Sequence, residues 1–469
     1  MNVLMVAAEF SPYTEAGPAA STVAALSRAL AQLGHEVTVV LPKCPGFEEK
    51  GLLVARRLSP LELPEGGAAT IFDGQLGSGV KLVLIDAPQF FERAHVYGEA
   101  GGDYADNAER FGFFAQAVGV FVRQRQQQSS PYDLVHVHDW PGALALLQLK
   151  AAQPELPSLL TLHDTAQVGL FSLEAATALR IPVRYADVEG VHLGAKLCVV
   201  KGGVLAADAV TVPSPSLAAD LADESRHGAL AVTFSRKAAV TTGIPAGLDY
   251  ALFNPATDAE LPSRFDAEHL NGKQICRTAA LRDAGLDLEI DRPLLLCVRE
   301  ARSGVDDAAL KSLCGDLLGN DLNLIVTGDG IDALGSLPES ARQKAALKPS
   351  GNSATQRKLL AAADFVLCLS PYPGDALTVR TAQRYAAVPI AGAQGAAQDA
   401  LVDCDAQLET GTGFLFENVG EVAATVQRAL SAYRSPAWPR LQRRVAKLDL
   451  SWDRVAHRYQ KLYRQLQKP

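Results

Sequence analysis

Two apolar stretches of this 469-residue chain end in histidine and aspartate. One is Leu134-Val135-His136-Val137-His138-Asp139-Trp140, and the other is Thr161-Leu162-His163-Asp164. Read as strands, both deliver polar groups to the carboxyl edge of a sheet, where α/β folds bind ligands. A lone histidine is more often a satisfied structural group. Its repetition at two consecutive strands puts a functional reading on equal terms with a structural one. Metal binding is the other use of such residues, but no His-x-x-x-His and no clustered Cys/His spacing supports it.

A third candidate is the loop Glu15-Ala16-Gly17-Pro18-Ala19. It follows an apolar run, Val3 to Ala8, and precedes a stretch in which Val23, Leu26, Leu30 and Leu33 share one helical face. A strand, a glycine loop and a helix form the place where phosphates bind, because backbone N–H groups and the helix dipole point at the anion. Here Pro18 lacks an N–H, and Glu15 repels a phosphate. The scaffold for a nucleotide-linked substrate is present with its anion chemistry eroded.

The second half offers further strand ends. Cys297-Val298-Arg299-Glu300 places an arginine that can fork onto a diphosphate or pair with a neighbouring carboxylate. Thr327-Gly328-Asp329-Gly330 is a glycine turn at the end of another strand, weak evidence by itself. The loop Ser370-Pro371-Tyr372-Pro373-Gly374-Asp375-Ala376-Leu377-Thr378 leads into a helix, with Asp375 as its only carboxylate; a helix N-cap accounts for that residue without catalysis. Lys201-Gly202-Gly203 lies in an apolar helical stretch, where paired glycines fit a close backbone neighbour or a mobile loop.

These residues need a frame. Strand-like runs at Val37–Leu41, Lys81–Ile85, Leu134–Val137, Leu159–Leu162 and Ala209–Val212 alternate with helical patterns such as Asn107–Arg123 and Gly142–Lys150. The segment from Arg57 to Gly79 reads as a less regular insertion. Asn254 through Pro262 is turn-rich and polar, a linker candidate. A second series follows at Leu294–Val298, Leu322–Val326, Phe365–Leu369, Pro389-Ile390 and Phe414–Phe416, with a helix over Val422–Tyr433. The reading is α/β, two doubly wound Rossmann-like domains facing a cleft. The boundaries are 1–255, 256–448 and a terminal helix within 449–469. In that helix Trp452, Val455, Ala456, Tyr459, Leu462, Tyr463 and Leu466 form one apolar stripe that must dock on a core.

Composition sets limits. Hydrophobic residues make up 48% and charged residues 20%, an ordinary globular balance. A net charge of −8 without a basic block argues against nucleic acid and anionic membranes as partners. Seven scattered cysteines, an odd number without C-x-x-C, argue for a reducing compartment. With no signal-peptide pattern and no membrane-spanning apolar run, the expected location is the cytoplasm.

In this order the motifs resemble the bacterial glycogen synthases and plant starch synthases, retaining glycosyltransferases of the GT-B fold (family GT5). The likeness covers nearly the whole chain. It rests on Ala8-Glu9-Phe10-Ser11-Pro12, Asp106-Asn107 with Arg110-Phe111, His136-Val137-His138-Asp139-Trp140, Thr161-Leu162-His163 and Lys201-Gly202. Gly247-Leu248-Asp249, Phe253-Asn254-Pro255, Gly328-Asp329-Gly330, Leu377-Thr378, Thr412-Gly413-Phe414 and Leu450-Ser451-Trp452 continue it. The resemblance implies glucose transfer from a nucleotide sugar such as ADP-glucose to an α-1,4-glucan, without a cofactor or metal, and a terminal helix that returns to the first domain. It also implies a donor side at Glu15, Gly17, Arg299, Arg302, Gly328, Leu377 and Thr378. An acceptor side falls at Glu9, His138, Asp139, Trp140 and Asp164, and catalytic positions at His163, Arg299 and Asp375.

The chain departs from the family where diphosphate charge must be met. The family's Lys-Thr-Gly-Gly-Leu loop is Glu15-Ala16-Gly17-Pro18-Ala19 here, and a nearby aspartate is Ser21. Replacing lysine with glutamate swings two charge units; at ~4 Å and an effective dielectric of ~20 each is worth about 4 kcal/mol before screening. The lysine expected after Arg299 is absent, with Arg302-Ser303-Gly304-Val305 in its stretch. Ala246 replaces an asparagine, Pro373 the functional glutamate, and Gly395-Ala396-Ala397 a Gly-Gly-Leu turn. His163, Arg299, Leu377 and Thr378 remain. Three functions fit: a degenerate homologue with little or no transfer, binding glucan or regulating a true synthase; an active transferase with Asp375 and Arg302 rebuilt into the site; or a module that binds another enzyme of glycogen metabolism.

Overall fold

The strands of the first half form where β-branched and leucine runs are buried on both faces, as a covered parallel sheet demands. In the computed structural model, which describes residues 1–64, 66–99, 102–187, 189–289, 291–299, 307–328, 343–348, 352–369 and 376–467, the chain divides into two compact units. The first comprises Met1–Gly247 with Trp452–Pro469, and the second Leu248–Ser451.

In the first unit, β1 (Asn2–Val6), α1 (Pro18–Gln32), β2 (Glu36–Pro42), β3 (Val54–Arg56), β4 (Ala68–Gln75) and β5 (Lys81–Asp86) come first. Then follow α2 (Asn107–Gln127), β6 (Leu134–His138), α3 (Asp139–Ala152), β7 (Ser158–Thr161), α4 (Val199–Ala206), β8 (Ala209–Val212) and β9 (Thr241–Gly243). The sheet order is β9-β8-β7-β6-β1-β2-β5-β4-β3, parallel from β9 to β5, with β4 and β3 antiparallel at one edge. The insertion at 57–79 is thus largely the strand β4 and its turns. The order reverses between β1 and β6, where Met5 pairs with His136. Such a reversal opens the crevice in which α/β sheets hold ligands.

Alternation along the strands splits the core. Val3 and Met5 of β1 pack with Val23, Leu26 and Leu30 of α1 and with Trp452, Val455, Tyr459 and Tyr463 of the terminal helix Trp452–Leu466. The helix therefore completes this core, which explains its stripe. Gly202 and Gly203 lie inside α4, not in a mobile loop. A Cβ on Gly203 would stand 2.5 Å from Ala143 Cβ of α3, so the glycines permit two helices to touch.

The second unit contains α5 (Asn271–Ala284), β10 (Leu294–Val298), β11 (Asn323–Thr327), β12 (Ala345–Lys348), β13 (Phe365–Cys368), α6 (Leu377–Arg384), β14 (Val388–Gly392), β15 (Phe414–Phe416), α7 (Val422–Tyr433) and α8 (Trp438–Ala446). All its strands are parallel, in the order β12-β11-β10-β13-β14-β15. That is the strand order of dinucleotide-binding sheets.

One sequence expectation is corrected. The stretch 254–262 is no loose linker between domains divided at 255. Asp258 is buried and accepts hydrogen bonds from Arg357 Nε at 2.7 Å and the Tyr385 hydroxyl at 2.9 Å. The Leu248 amide already donates to Leu450 O at 2.6 Å. The change of unit falls at 247/248, before the polar residues that composition offers as a linker. Among the described residues, no helix is long and apolar enough to cross a membrane.

Candidate functional site

The site of the first unit grows from the carboxyl ends of three neighbouring strands, β1, β6 and β7. Beyond β1 the chain reaches Glu9, which is 3% exposed. Its carboxylate accepts the backbone amides of Ala16 at 2.7 Å and Gly17 at 2.6 Å, and the Tyr97 hydroxyl at 3.1 Å. Burial raises the Glu9 pKa, the charge of Asp139 adds to the rise, and the bonds it accepts oppose it. The glycine loop thus turns two of its N–H donors toward a carboxylate of its own chain. Pro18 opens α1, where its missing N–H is one the helix does not need. Glu15 is held by the Ser11 hydroxyl, which donates to it.

β6 ends at His138, and Asp139 begins α3 with a φ of 52°. Its carboxylate accepts the His163 amide at 2.7 Å, fixing the turn that leaves β7. Burial pushes the Asp139 carboxyl up to about 7, against the hydrogen bonds that lower it. His138 Nδ1 and His163 Nε2 lie 3.1 Å apart with their rings stacked. Burial, then the neighbouring imidazoles, holds His138 far below its ordinary pKa. With His138 neutral, one ring donates to the other and sets its tautomer. Asp164 accepts the Ala166 amide at 2.9 Å in the same turn.

Not every sequence candidate lines this site. His136 is fully buried, between the Tyr463 hydroxyl at 2.7 Å from Nδ1 and Thr161 Oγ1 at 2.6 Å from Nε2. Thr161 Oγ1 in turn meets Thr211 Oγ1 at 2.6 Å, so the network ties β6, β7 and β8 to the terminal helix. Trp140 is 6% exposed and packed among Phe111, Tyr97 and Phe171. It is part of the wall, not an open stacking platform. Tyr97 was missed by sequence reasoning: it stands 88 residues from Glu9, outside any regular pattern.

In the second unit, Arg299 follows β10, Gly328 follows β11, and Leu377 and Thr378 open α6 after β13. These strands are neighbours, so all four residues gather at one carboxyl edge, beside the reversal of strand order between β10 and β13. The Arg299 amide donates to Thr327 O at 2.9 Å. Ala376 takes a φ of 54° just before the helix. Arg302, Asp375, Asp329 and Gly330 lie outside the described residues. Among the described residues, no group of three or more His, Cys, Asp or Glu side chains is placed to hold a metal ion.

Chemically, the first unit offers carboxylates and the neutral His138 imidazole, suited to sugar hydroxyls and poorly suited to a diphosphate. The second offers an arginine and a helix start at a nucleotide-type edge.

Two parallel sheets of this kind, with the last helix returned to the first, are the fold of the GT-B glycosyltransferases. The catalytic domain of starch synthase IV from Arabidopsis thaliana, bound to ADP and acarbose, matches with a TM-score of 0.86 at 24% identity, covering 99% of each chain. A sucrose-phosphate synthase from Thermosynechococcus elongatus shares the fold at a TM-score of 0.58 and 18% identity, covering 99% of this chain and 98% of that one. Residues 2–235 match the starch synthase catalytic domain. A glycogen synthase of Anaeromyxobacter sp. is 32% identical over 100% of both chains. Glycogen synthase 2 of Geobacter sulfurreducens is 30% identical, covering 99% of this chain and 98% of its own. The chain belongs to the glycogen synthase and starch synthase family.

Proposed function

We propose that this protein is a glycogen synthase homologue that binds an α-glucan through its first unit and transfers glucose weakly or not at all. One observation carries the reading. The Ala16 and Gly17 amides are taken by Glu9, the next residue is a proline without an N–H, and Glu15 occupies the position of a lysine. A departing diphosphate needs positive charge and free donors, usually the largest electrostatic contribution to such a reaction. This loop supplies no cation, and two of its donors are already taken. The protein acts in the cytoplasm, on glycogen or on another enzyme of its metabolism; seven buried cysteines, scattered and without a C-x-x-C pair, support a reducing compartment.

The test is calorimetric titration of the full chain with ADP-glucose, UDP-glucose and a maltooligosaccharide, beside a glucan-elongation assay. The expected result is binding of the oligosaccharide alone. Robust elongation by the pure protein overturns the reading.

A second reading is favoured by the gathering of Arg299, Gly328, Leu377 and Thr378 at one sheet edge. In it, transfer survives with Arg302 and Asp375 replacing the family's lysine and glutamate. Arg302→Ala and Asp375→Ala would then each abolish turnover, and unchanged turnover rejects that wiring.

A further inference from the structure

The second unit holds a cavity of about 640 Å³ outside the candidate site. It is walled by the start of α5 and by the turn joining α7 to α8. Its floor is Asp364, which accepts Arg277 Nη1 at 2.8 Å and the amide of Leu294 at 2.9 Å. Leu294 opens β10 and Asp364 immediately precedes β13. The cavity therefore lies at the amino ends of the strands, the far end of the sheet from Arg299, Gly328 and Leu377.

Its lining is basic in an acidic protein. Lys273, Arg277, Arg434 and Arg443 face Glu268 and Asp364, in a chain of net charge −8. Glu268 is further neutralised by Lys447 at 2.7 Å. Lys273 lends charge but few donors, since its ammonium is bound to the carbonyls of Ala361 at 3.0 Å and Tyr385 at 2.9 Å. Arg434 and Arg443 are exposed at the rim; the carboxylate of Asp321 stands 3.7 Å from Arg434, an exposed pair worth little. The Tyr433 ring, beside Trp438 at 5.3 Å, adds an apolar flank.

We propose that this cavity binds a small organic phosphate. Guanidinium groups fork onto phosphate oxygens, and a concave lining with an excess of cationic groups concentrates anions. The volume suits a ligand of sugar or nucleoside size. Two rim arginines above the Arg277–Asp364 pair call for a dianion, and the ring flank accommodates its uncharged body.

The experiment is calorimetry on the full chain at low ionic strength with inorganic phosphate, glucose 1-phosphate and AMP, and glucose as a neutral control. At least one phosphomonoester should bind where glucose does not, and the tighter of glucose 1-phosphate and AMP identifies the body. Arg434→Glu with Arg443→Glu should weaken that binding roughly tenfold or more, with an unchanged circular dichroism spectrum. Arg299→Ala should leave it intact. Equal affinity in the double variant, loss of binding in Arg299→Ala, or flat titrations with all three phosphates overturns the proposal.

Discussion

The Gly17 amide donates a 2.6 Å hydrogen bond to the Glu9 carboxylate, eight residues earlier in the chain. The bond folds the glycine loop back onto a carboxylate of its own chain. On the proposed reading, added positive charge there should strengthen donor binding. Glu15→Lys combined with Pro18→Gly adds a cation and an N–H, and should tighten ADP-glucose binding by about tenfold or more, the equivalent of ~1.4 kcal/mol. An isotherm no different from that of the parent protein would remove the charge argument.

Asp139 gives a pH signature. Its folded pKa, about 7, lies above the ordinary 3.8, and Glu9 is shifted in the same direction. Between those values the folded chain keeps a proton that the unfolded chain releases. This contribution is therefore complete below about pH 4 and is lost as pH rises through about 7. His136 and His138, lowered by burial, act in the opposite sense and withdraw stability as pH falls below ~6.5. Asp139→Asn removes only the first effect. In urea unfolding, the variant should gain on the parent between pH 5 and pH 8; parallel profiles would contradict the assignment.

The bond between His136 and Tyr463 separates structure from binding. Tyr463→Phe leaves a buried imidazole nitrogen without its partner and should cost ~1–2 kcal/mol of unfolding free energy. Oligosaccharide affinity should not change, because His136 lies beneath the site. A variant as stable as the parent, or one with impaired glucan binding, would show that the network is drawn wrongly.

Gly203→Ala tests the contact between α3 and α4. The added methyl falls 2.5 Å from Ala143 Cβ, and overpacking of this kind costs ~1–3 kcal/mol. A neutral effect in thermal unfolding would mean that the helices separate easily.

Much of the frame was legible in the sequence, because strands buried on both faces announce themselves as apolar runs. Ala209–Val212 and Leu294–Val298 stand as read, while β11 lies one residue later than its apolar run. Helix starts were harder. α3 begins at Asp139, three residues before Gly142, because a positive φ lets an aspartate at a strand end turn directly into a helix. Clustering of His138, Asp139 and His163 followed from two consecutive strands ending alike. The roles of Glu9 and Tyr97 did not, since both depend on a turn and on an irregular segment that bring distant residues together. His136 and Trp140 looked equivalent to their neighbours; His136 shares a strand face with His138 but lies two residues deeper, under Tyr463, and the aromatic packing around α2 encloses Trp140.

The terminal helix also sets an order of events at the ribosome. Trp452, Val455, Ala456, Tyr459 and Tyr463 fill the core built by β1, β2 and α1, yet the whole second unit is synthesised before them. At about 5–20 residues per second, roughly 10–40 s pass between completion of the first sheet and arrival of the helix that covers it. For that interval the nascent first unit carries an open apolar groove. A premature stop shortly before Trp452 would make that exposure permanent and leave a product for chaperones and proteases to clear.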